Sequence, residues 1–306
     1  MRRIVGIVLL ALGAFLIVLA PLVRFQVAGS LVAAPAAQYG ISKLEAEGAQ
    51  YFSARDLKVM TAQLGVTVTT RGDVSQAKGD TVVWDEFTAV NDVTNNNPNI
   101  TITERRSAFN KYTGEGVTCC SVNIDDRPVT MEGQIYKWPF DVEQKTYKVF
   151  NSVAGKAFDA RFVGEEQVNG LTAYKFEQDV PETKTETRSV PASVMGVTDV
   201  TGDVQVDRIY KGKNTFWIEP VTGSPVKQEQ RRDEVLRTQD GAHSVTALAA
   251  TIRMTPETVN DLVSNATESK NQISMIKVTI PLVLLLLGLV LLVTGFFVAR
   301  GADGKA

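Results

Sequence analysis

The chain has 306 residues, 44% hydrophobic and 22% charged, with 32 Lys+Arg against 34 Asp+Glu. That balance offers no basic face, so no nucleic-acid partner is expected. One histidine and two cysteines are too few for a metal centre of the usual three or four ligands, and no metal or other cofactor is expected.

The first element is the apolar run in "MRRIVGIVLLALGAFLIVLAPLVRF", uncharged over residues 4–23. About 20 helical residues at 1.5 Å each match the roughly 30 Å hydrocarbon core of a bilayer. Arg2 and Arg3 would suit a signal peptide, and Ala34-Pro35-Ala36 would suit a cleavage site. The run exceeds the usual leader length, however, and Arg24 separates it from the small residues, so an uncleaved anchor is expected. No cysteine follows at which a lipoprotein could be acylated. Segment 41–64 has helical propensity inside a sheet-like neighbourhood and stays open between the two.

From Thr81 onward, alternation with aromatic and β-branched residues predicts antiparallel strands. "TVVWDEFTAV" sets Val82, Trp84, Glu86 and Thr88 on one face and Phe87 on the other. "NDVTNNNPN" is a loop by composition, and "ITITERRSAF" resumes the alternation. Cys119 and Cys120 are adjacent, and their Cα spacing lies below the usual disulfide range. They read as a structural pair, free or bonded to each other, ahead of an intermolecular bridge or a redox pair. "LTAYKFEQDV" places Tyr174 and Phe176 on one face. Residues 181–202 form a long connection, either a protruding hairpin or a flap. "NTFWIEPVTGSPVKQEQRR" is two strands joined by a Pro-Val-Thr-Gly-Ser turn, and "HSVTALAATIRM" is a further strand.

Thr255-Pro256-Glu257 starts a helix, with an N-cap, Pro at the first position and then an acid. The helix should run into a second uncharged segment over 278–299, with a break near Pro281. Arg2 and Arg3 before the first span, and Arg300 and Lys305 after the second, put both termini in the cytoplasm and the middle outside; Arg24 and Lys277 oppose this and can snorkel. Gly6 and Gly13, and Gly288 and Gly295, are seven apart and would let the two spans pack closely. The expected divisions are a transmembrane helix over 1–24, an extracytoplasmic β domain over 25–256, a juxtamembrane helix over 257–277, a second span over 278–299 and a cytoplasmic tail over 300–306. The fold class is thus a membrane-anchored α+β protein, with a β-rich antiparallel domain, curved or barrel-like, between two transmembrane helices. Without the charges at the chain ends, 28 Lys+Arg remain against 33 Asp+Glu, so the outer domain is mildly acidic.

No catalytic constellation emerges, and an enzyme is not expected. His243 lies in a strand-like run with no triad around it. Asp125-Asp126 and Glu165-Glu166 read as solvated turns rather than a glycosidase pair. Asn99 and Asn265 begin glycosylation-type triplets. Two aromatic-rich stretches stand out. One is "GQIYKWPFDVEQKTYKVFN", with Tyr136, Trp138, Phe140, Tyr147 and Phe150; the other is "VNGLTAYKFEQ" with the later "FWIEPVTGSPVKQEQ". Their aromatics form a β core, or in part line an apolar pocket.

These stretches resemble an actinobacterial membrane-protein family, formerly a domain of unknown function and also labelled the porin PorA family. The layout of one span at each end matches over the whole chain. The resemblance implies work in the cell envelope: lipid binding by the β-rich domain and assembly of lipoglycans of the lipomannan and lipoarabinomannan type. It carries over no catalytic residues. A porin barrel spans with strands that are apolar outward, whereas here two helices would span and the strands carry charge. The leading expectation is therefore a non-enzymatic protein that binds a membrane lipid or glycolipid at the plasma membrane. A scaffold for membrane-embedded envelope-synthesis enzymes comes next, and a channel after that. The candidate ligand contacts are Trp84, Phe87, Tyr136, Trp138, Phe140, Tyr174, Phe176, Phe216 and Trp217.

Overall fold

A computed structural model describes residues 2–300. The expected tail beyond Arg300, with Asp303 and Lys305, lies outside the described residues. The chain divides into two compact units: residues up to 33 together with those from 267 on, and Ala34–Ala266.

The first unit is helical. Helix α1 (Arg2–Leu22) continues through a π turn (Val23–Val27) into α2 (Ala28–Leu31). At the other end of the chain α3 (Pro256–Ser274), which begins in the second unit and enters the first after Ala266, continues through a π turn (Met275–Thr279) into α4 (Ile280–Arg300). Both runs are long and apolar enough to cross a membrane. No break occurs at Pro281: the helix runs on through it, and the turn before it widens to a π turn, where the Ile280 N–H reaches the Met275 carbonyl. The four spaced glycines are buried where α1 meets α4. A Cβ on Gly6 would stand 2.7 Å from the Ala299 nitrogen, and one on Gly13 would stand 2.8 Å from the Gly288 carbonyl. Only hydrogen at these positions lets the backbones meet. Thr255 caps α3 as expected, its Oγ1 accepting from the Thr258 N–H at 3.3 Å.

The second unit is a 12-stranded antiparallel curled sheet. Its strands are β1 (Tyr39–Ser53), β2 (Lys58–Gly72), β3 (Thr81–Asp92), β4 (Asn97–Asn110), β5 (Asn123–Ile124) and β6 (Arg127–Pro128). These are followed by β7 (Tyr147–Asn151), β8 (Lys156–Val168), β9 (Leu171–Pro191), β10 (Asp203–Ile218), β11 (Pro225–Thr238) and β12 (Ser244–Met254). Segment 41–64 is the β1–β2 hairpin. Its helix-forming Leu44, Ala46, Ala49, Ala62 and Leu64 are buried together with Ala250 and Ile252 of β12, so cross-strand burial overrides local propensity. The 181–202 connection is the long β9–β10 hairpin, and Met195 at its tip packs on Val206 and Leu236. His243 lies in the β11–β12 turn rather than in a strand; its carbonyl accepts from the Thr238 N–H.

The strand order runs β6-β5-β4-β3-β2-β1-β12-β11-β10-β9-β8-β7. It is cyclic, with β12 returning to β1, and the two edges are β6 and β7, consecutive in sequence. The residues between them close the gap. The Gln134 N–H donates to the Lys148 carbonyl at 2.7 Å, and the Phe150 N–H donates to the Gln134 carbonyl at 2.9 Å, joining this segment to β7. On the other side the Gly116 N–H donates to the Gly133 carbonyl at 2.8 Å, and the Ile135 N–H to the Gly114 carbonyl at 3.1 Å. Residues 115–117 in turn bond back to β4. The ring of backbone pairing is therefore complete at this end.

Such close approach needs glycine. Gly133 has φ +68°, and a Cβ there would stand 2.5 Å from the Lys148 carbonyl oxygen. Gly155 has φ +63° but open space around it. Gly133→Ala is therefore expected to lose about 2–4 kcal/mol, from backbone strain plus collision, and Gly155→Ala about 1 kcal/mol from strain alone. Denaturant unfolding of the two full-length variants checks this. Equal losses would mean that the close approach does not fix Gly133.

Candidate ligand cavity in the curled sheet

A cavity of about 1140 Å³ lies along the inner face of the sheet. That exceeds the roughly 300–1,000 Å³ of sites for drug-sized ligands. Its two walls differ. Leu44 of β1, Val66 and Val68 of β2, Val90 of β3, Ile100 of β4, and Ile252 and Met254 of β12 give one wall its aliphatic character, with Ser42, Thr70, Thr88, Thr101 and Thr103 among them. Glu186 and Arg188 of β9, Arg208 and Asn214 of β10, and Gln228, Gln230, Arg232 and Glu234 of β11 make the other polar. Near the closing segment the lining is aromatic, with Trp84, Tyr136, Trp138, Phe150 and Phe216.

The charges are matched within the wall. Among the described residues, five arginines and five acids line the cavity. The buried Glu234 carboxylate accepts from Arg208 and Arg232, each with a contact of 2.5 Å. Burial opposes its charge, but the two guanidiniums more than offset this and hold its pKa below the usual range. Arg188 and Arg208 share Glu186. At the aromatic end Arg105 donates to Glu86 at 2.7 Å and lies over the Tyr136 ring, 4.6 Å from its centre. Burial works against the Arg105 charge, and the Glu86 carboxylate outweighs it. Burial also pushes the Tyr136 hydroxyl up to about 12, so it remains a donor at neutral pH.

Of the candidate contacts, Trp84, Tyr136, Trp138 and Phe216 line the cavity. Phe176 is fully buried behind them with Tyr147, and Tyr174 packs at the edge of the same cluster through Phe162. Phe140 lies under the Lys137 ammonium. Phe87 alternates away from Trp84 and is 41% exposed. Trp217 packs with Val259 and Val263 of α3 and donates to Glu166 at 2.6 Å. The Cys119 and Cys120 sulfurs are bonded to each other, beside the cluster that holds Trp84 and Phe109. Sequence reasoning missed the arginines. Alternation had put Glu86 on the face of Trp84, but its partner Arg105 emerges only from the β3–β4 register. Among the described residues no group of three His, Cys, Asp or Glu side chains is gathered as a metal site requires.

A profile of the family described as Porin PorA matches residues 5–297. A "Porin PorA" of Corynebacterium amycolatum is 26% identical over 215 residues, covering 56% of this chain and 55% of the relative. A "Porin PorA" of Corynebacterium resistens is 24% identical over 234 residues, covering 56% of this chain and 57% of the relative. The chain thus spans little more than half the length of the curated relatives it matches.

The matched region includes Lys137, whose side chain is 7% exposed. Its Nζ makes no hydrogen bond and sits 3.2 Å from the centre of the Phe140 ring. Burial alone brings its pKa from 10.5 down to about 7. Between those values the unfolded chain binds a proton that the folded chain does not, so stability should rise with pH across that window. Unfolding free energies from pH 6 to 10 are expected to climb by up to about 1.4 kcal/mol per pH unit relative to Lys137→Met. Parallel profiles for the two proteins would show that the amine is charged or solvated throughout.

Proposed function

The chain belongs to the Porin PorA family, and from that premise and the shape of the cavity we propose a non-enzymatic, membrane-anchored protein that binds lipid or glycolipid. The family is named for porins, which are not a class of enzyme, and the two apolar helices mark a membrane protein. The observation that carries the reading is the uneven wall of the cavity: its aliphatic side chains gather along β1–β4 and β12, among threonines, while β9–β11 contribute mostly charged and amide groups. A molecule with an acyl or prenyl chain and a polar head fits both sides. Burying the chain would gain about 25 cal/mol per Å² before the costs of association.

In this reading the helices hold the sheet outside the plasma membrane with both termini in the cytoplasm, as the flanking arginines suggest. The ligand would be an envelope lipid or glycolipid of the lipomannan or lipoarabinomannan type, held for the membrane enzymes that extend it. The relatives' name supports a second reading, a channel.

Native mass spectrometry of the full-length chain is expected to show a bound lipid that organic solvent removes. Thr88 projects into the cavity from β3, so Thr88→Trp should abolish that mass and leave thermal unfolding nearly unchanged. A protein free of lipid in its native host, with an enzyme copurifying, would favour a scaffold. Stepwise conductance in a planar bilayer would favour the channel.

A further inference from the structure

The Cys119–Cys120 bond joins neighbours in sequence. A disulfide stabilises a fold mainly by closing a loop in the unfolded chain, and no residue lies inside this loop, so that gain is small. What the bond does is therefore local. Cys120 and Ser121 both take the left-handed conformation, with φ +57° and +59°, although neither is glycine. Residues in that conformation persist only where their surroundings hold them. Two groups hold this turn: the ring closed by the two sulfurs, and Arg106, whose Nε donates to the Cys120 carbonyl at 3.0 Å. Arg106 is itself fixed by Asp73 at 2.6 Å and Asp85 at 2.8 Å.

The turn delivers the chain to the slightest part of the cavity wall. Strands β5 and β6 have two residues each, and β6 ends the strand order. Ile124, Asp125, Arg127 and Val129 of this hairpin line the cavity. Few backbone bonds hold it. The Val122 N–H donates to the Cys119 carbonyl at 3.1 Å, the Asp125 N–H to the Glu104 carbonyl at 2.8 Å, and the Val129 N–H to the Val122 carbonyl at 3.4 Å. The first of these bonds ends on a disulfide residue. A segment held this lightly opens at lower cost than the long strands beside it. Both cysteines are half-buried, and disulfides within reach of solvent are the ones that exchange with thiols.

We propose that Cys119–Cys120 is an exchange site for an external dithiol, and that its reduction releases the β5–β6 hairpin from the cavity wall. A thiolate of the dithiol attacks one cysteine sulfur. The S–S bond breaks, the other cysteine leaves as a thiolate and takes up a proton, and a mixed disulfide links the two molecules. The second thiol of the dithiol, as its thiolate, then attacks its own partner sulfur in the mixed disulfide. The remaining cysteine leaves and is protonated. Two electrons have passed to the cysteines, and the dithiol ends as an intramolecular disulfide. In the extracytoplasmic setting proposed above, the bonded form is the resting one. This exchange needs no ligand in the cavity.

The test treats the full-length chain in amphipol with dithiothreitol, without denaturant, and reads alkylated mass and amide hydrogen exchange. Iodoacetamide is expected to modify neither cysteine before treatment and both after it. Exchange at Val122, Asp125 and Val129 is expected to quicken about tenfold on reduction, with the amides of β10 and β11 unchanged. A chain carrying both Cys119→Ser and Cys120→Ser should exchange like the reduced protein and ignore dithiothreitol. No alkylation after treatment overturns the exchange site. Alkylation of both cysteines with unchanged exchange at the hairpin overturns the release. Faster exchange throughout the sheet overturns it too, since the bond would then be a general staple. Reduction of the unaltered chain decides the matter even where the double variant fails to fold.

Discussion

A curled sheet has two edges, and each edge is a row of backbone donors and acceptors that must find partners. Here the cyclic strand order leaves β6 and β7 as the edges. Closure depends on a few residues around Gln134, which bond to Gly114 and Gly116 on one side and to β7 on the other. The rest of the unit follows from that strap. The next residues, Trp138 to Val142, bond to the β10–β11 turn at Pro220, Val221 and Gly223. Trp138 then stacks near Phe176 and Phe216. Residues of both aromatic-rich stretches that stood out in the sequence are thereby brought into one cluster. Their prominence reflects the building of the closure at least as much as contact with a ligand.

Closing the sheet at one end creates an interior, and the interior must solve its own electrostatics. Removing a charge from water costs several kcal/mol unless it is paired. The cavity answers with charges matched inside its wall: Glu234 between Arg208 and Arg232, Glu86 with Arg105. Deeper in the wall Asn214 donates to Gln178 at 2.8 Å, and Gln178 donates to the Val149 carbonyl at 2.7 Å. The polar wall is thus saturated over most of its length.

Much of this was legible in the sequence where the period of the side chains speaks directly. The two apolar runs, the Thr255 cap, the Pro-Val-Thr-Gly-Ser turn and the shared face of Trp84, Glu86 and Thr88 all follow from local rules. Gly6, Gly13, Gly288 and Gly295 announced their meeting by spacing alone. What was not legible depends on partners distant in sequence. Residues 41–64 carry helix formers and fold as strands because β12, some 200 residues later, completes their core. Arg105 looked like one charge in "ITITERRSAF" until register set it across from Glu86. Trp217 and Phe216 are adjacent, so one had to face the cavity and the other the opposite side; sequence alone treated them as equivalent.

The outer surface of the sheet bears on the name the family carries. Exposed ion pairs link neighbouring strands: Lys148 with Asp159, Arg161 with Asp179, Lys213 with Glu177, and Arg253 with Glu229. In water each contributes little, of order 0–1 kcal/mol. Facing lipid, a single lysine or arginine near the midplane costs about 2–4 kcal/mol. A domain holds only about 5–15 kcal/mol of net stability. Several such residues on one face are therefore tolerable in water and ruinous against hydrocarbon. The paired helices meet the opposite condition: their exposed residues include Phe15, Leu286 and Phe297, which suit hydrocarbon and are a liability in water. The division of labour follows from solvent. The helices have the surface for a bilayer, and the sheet has the surface for water around a cavity of about 1140 Å³.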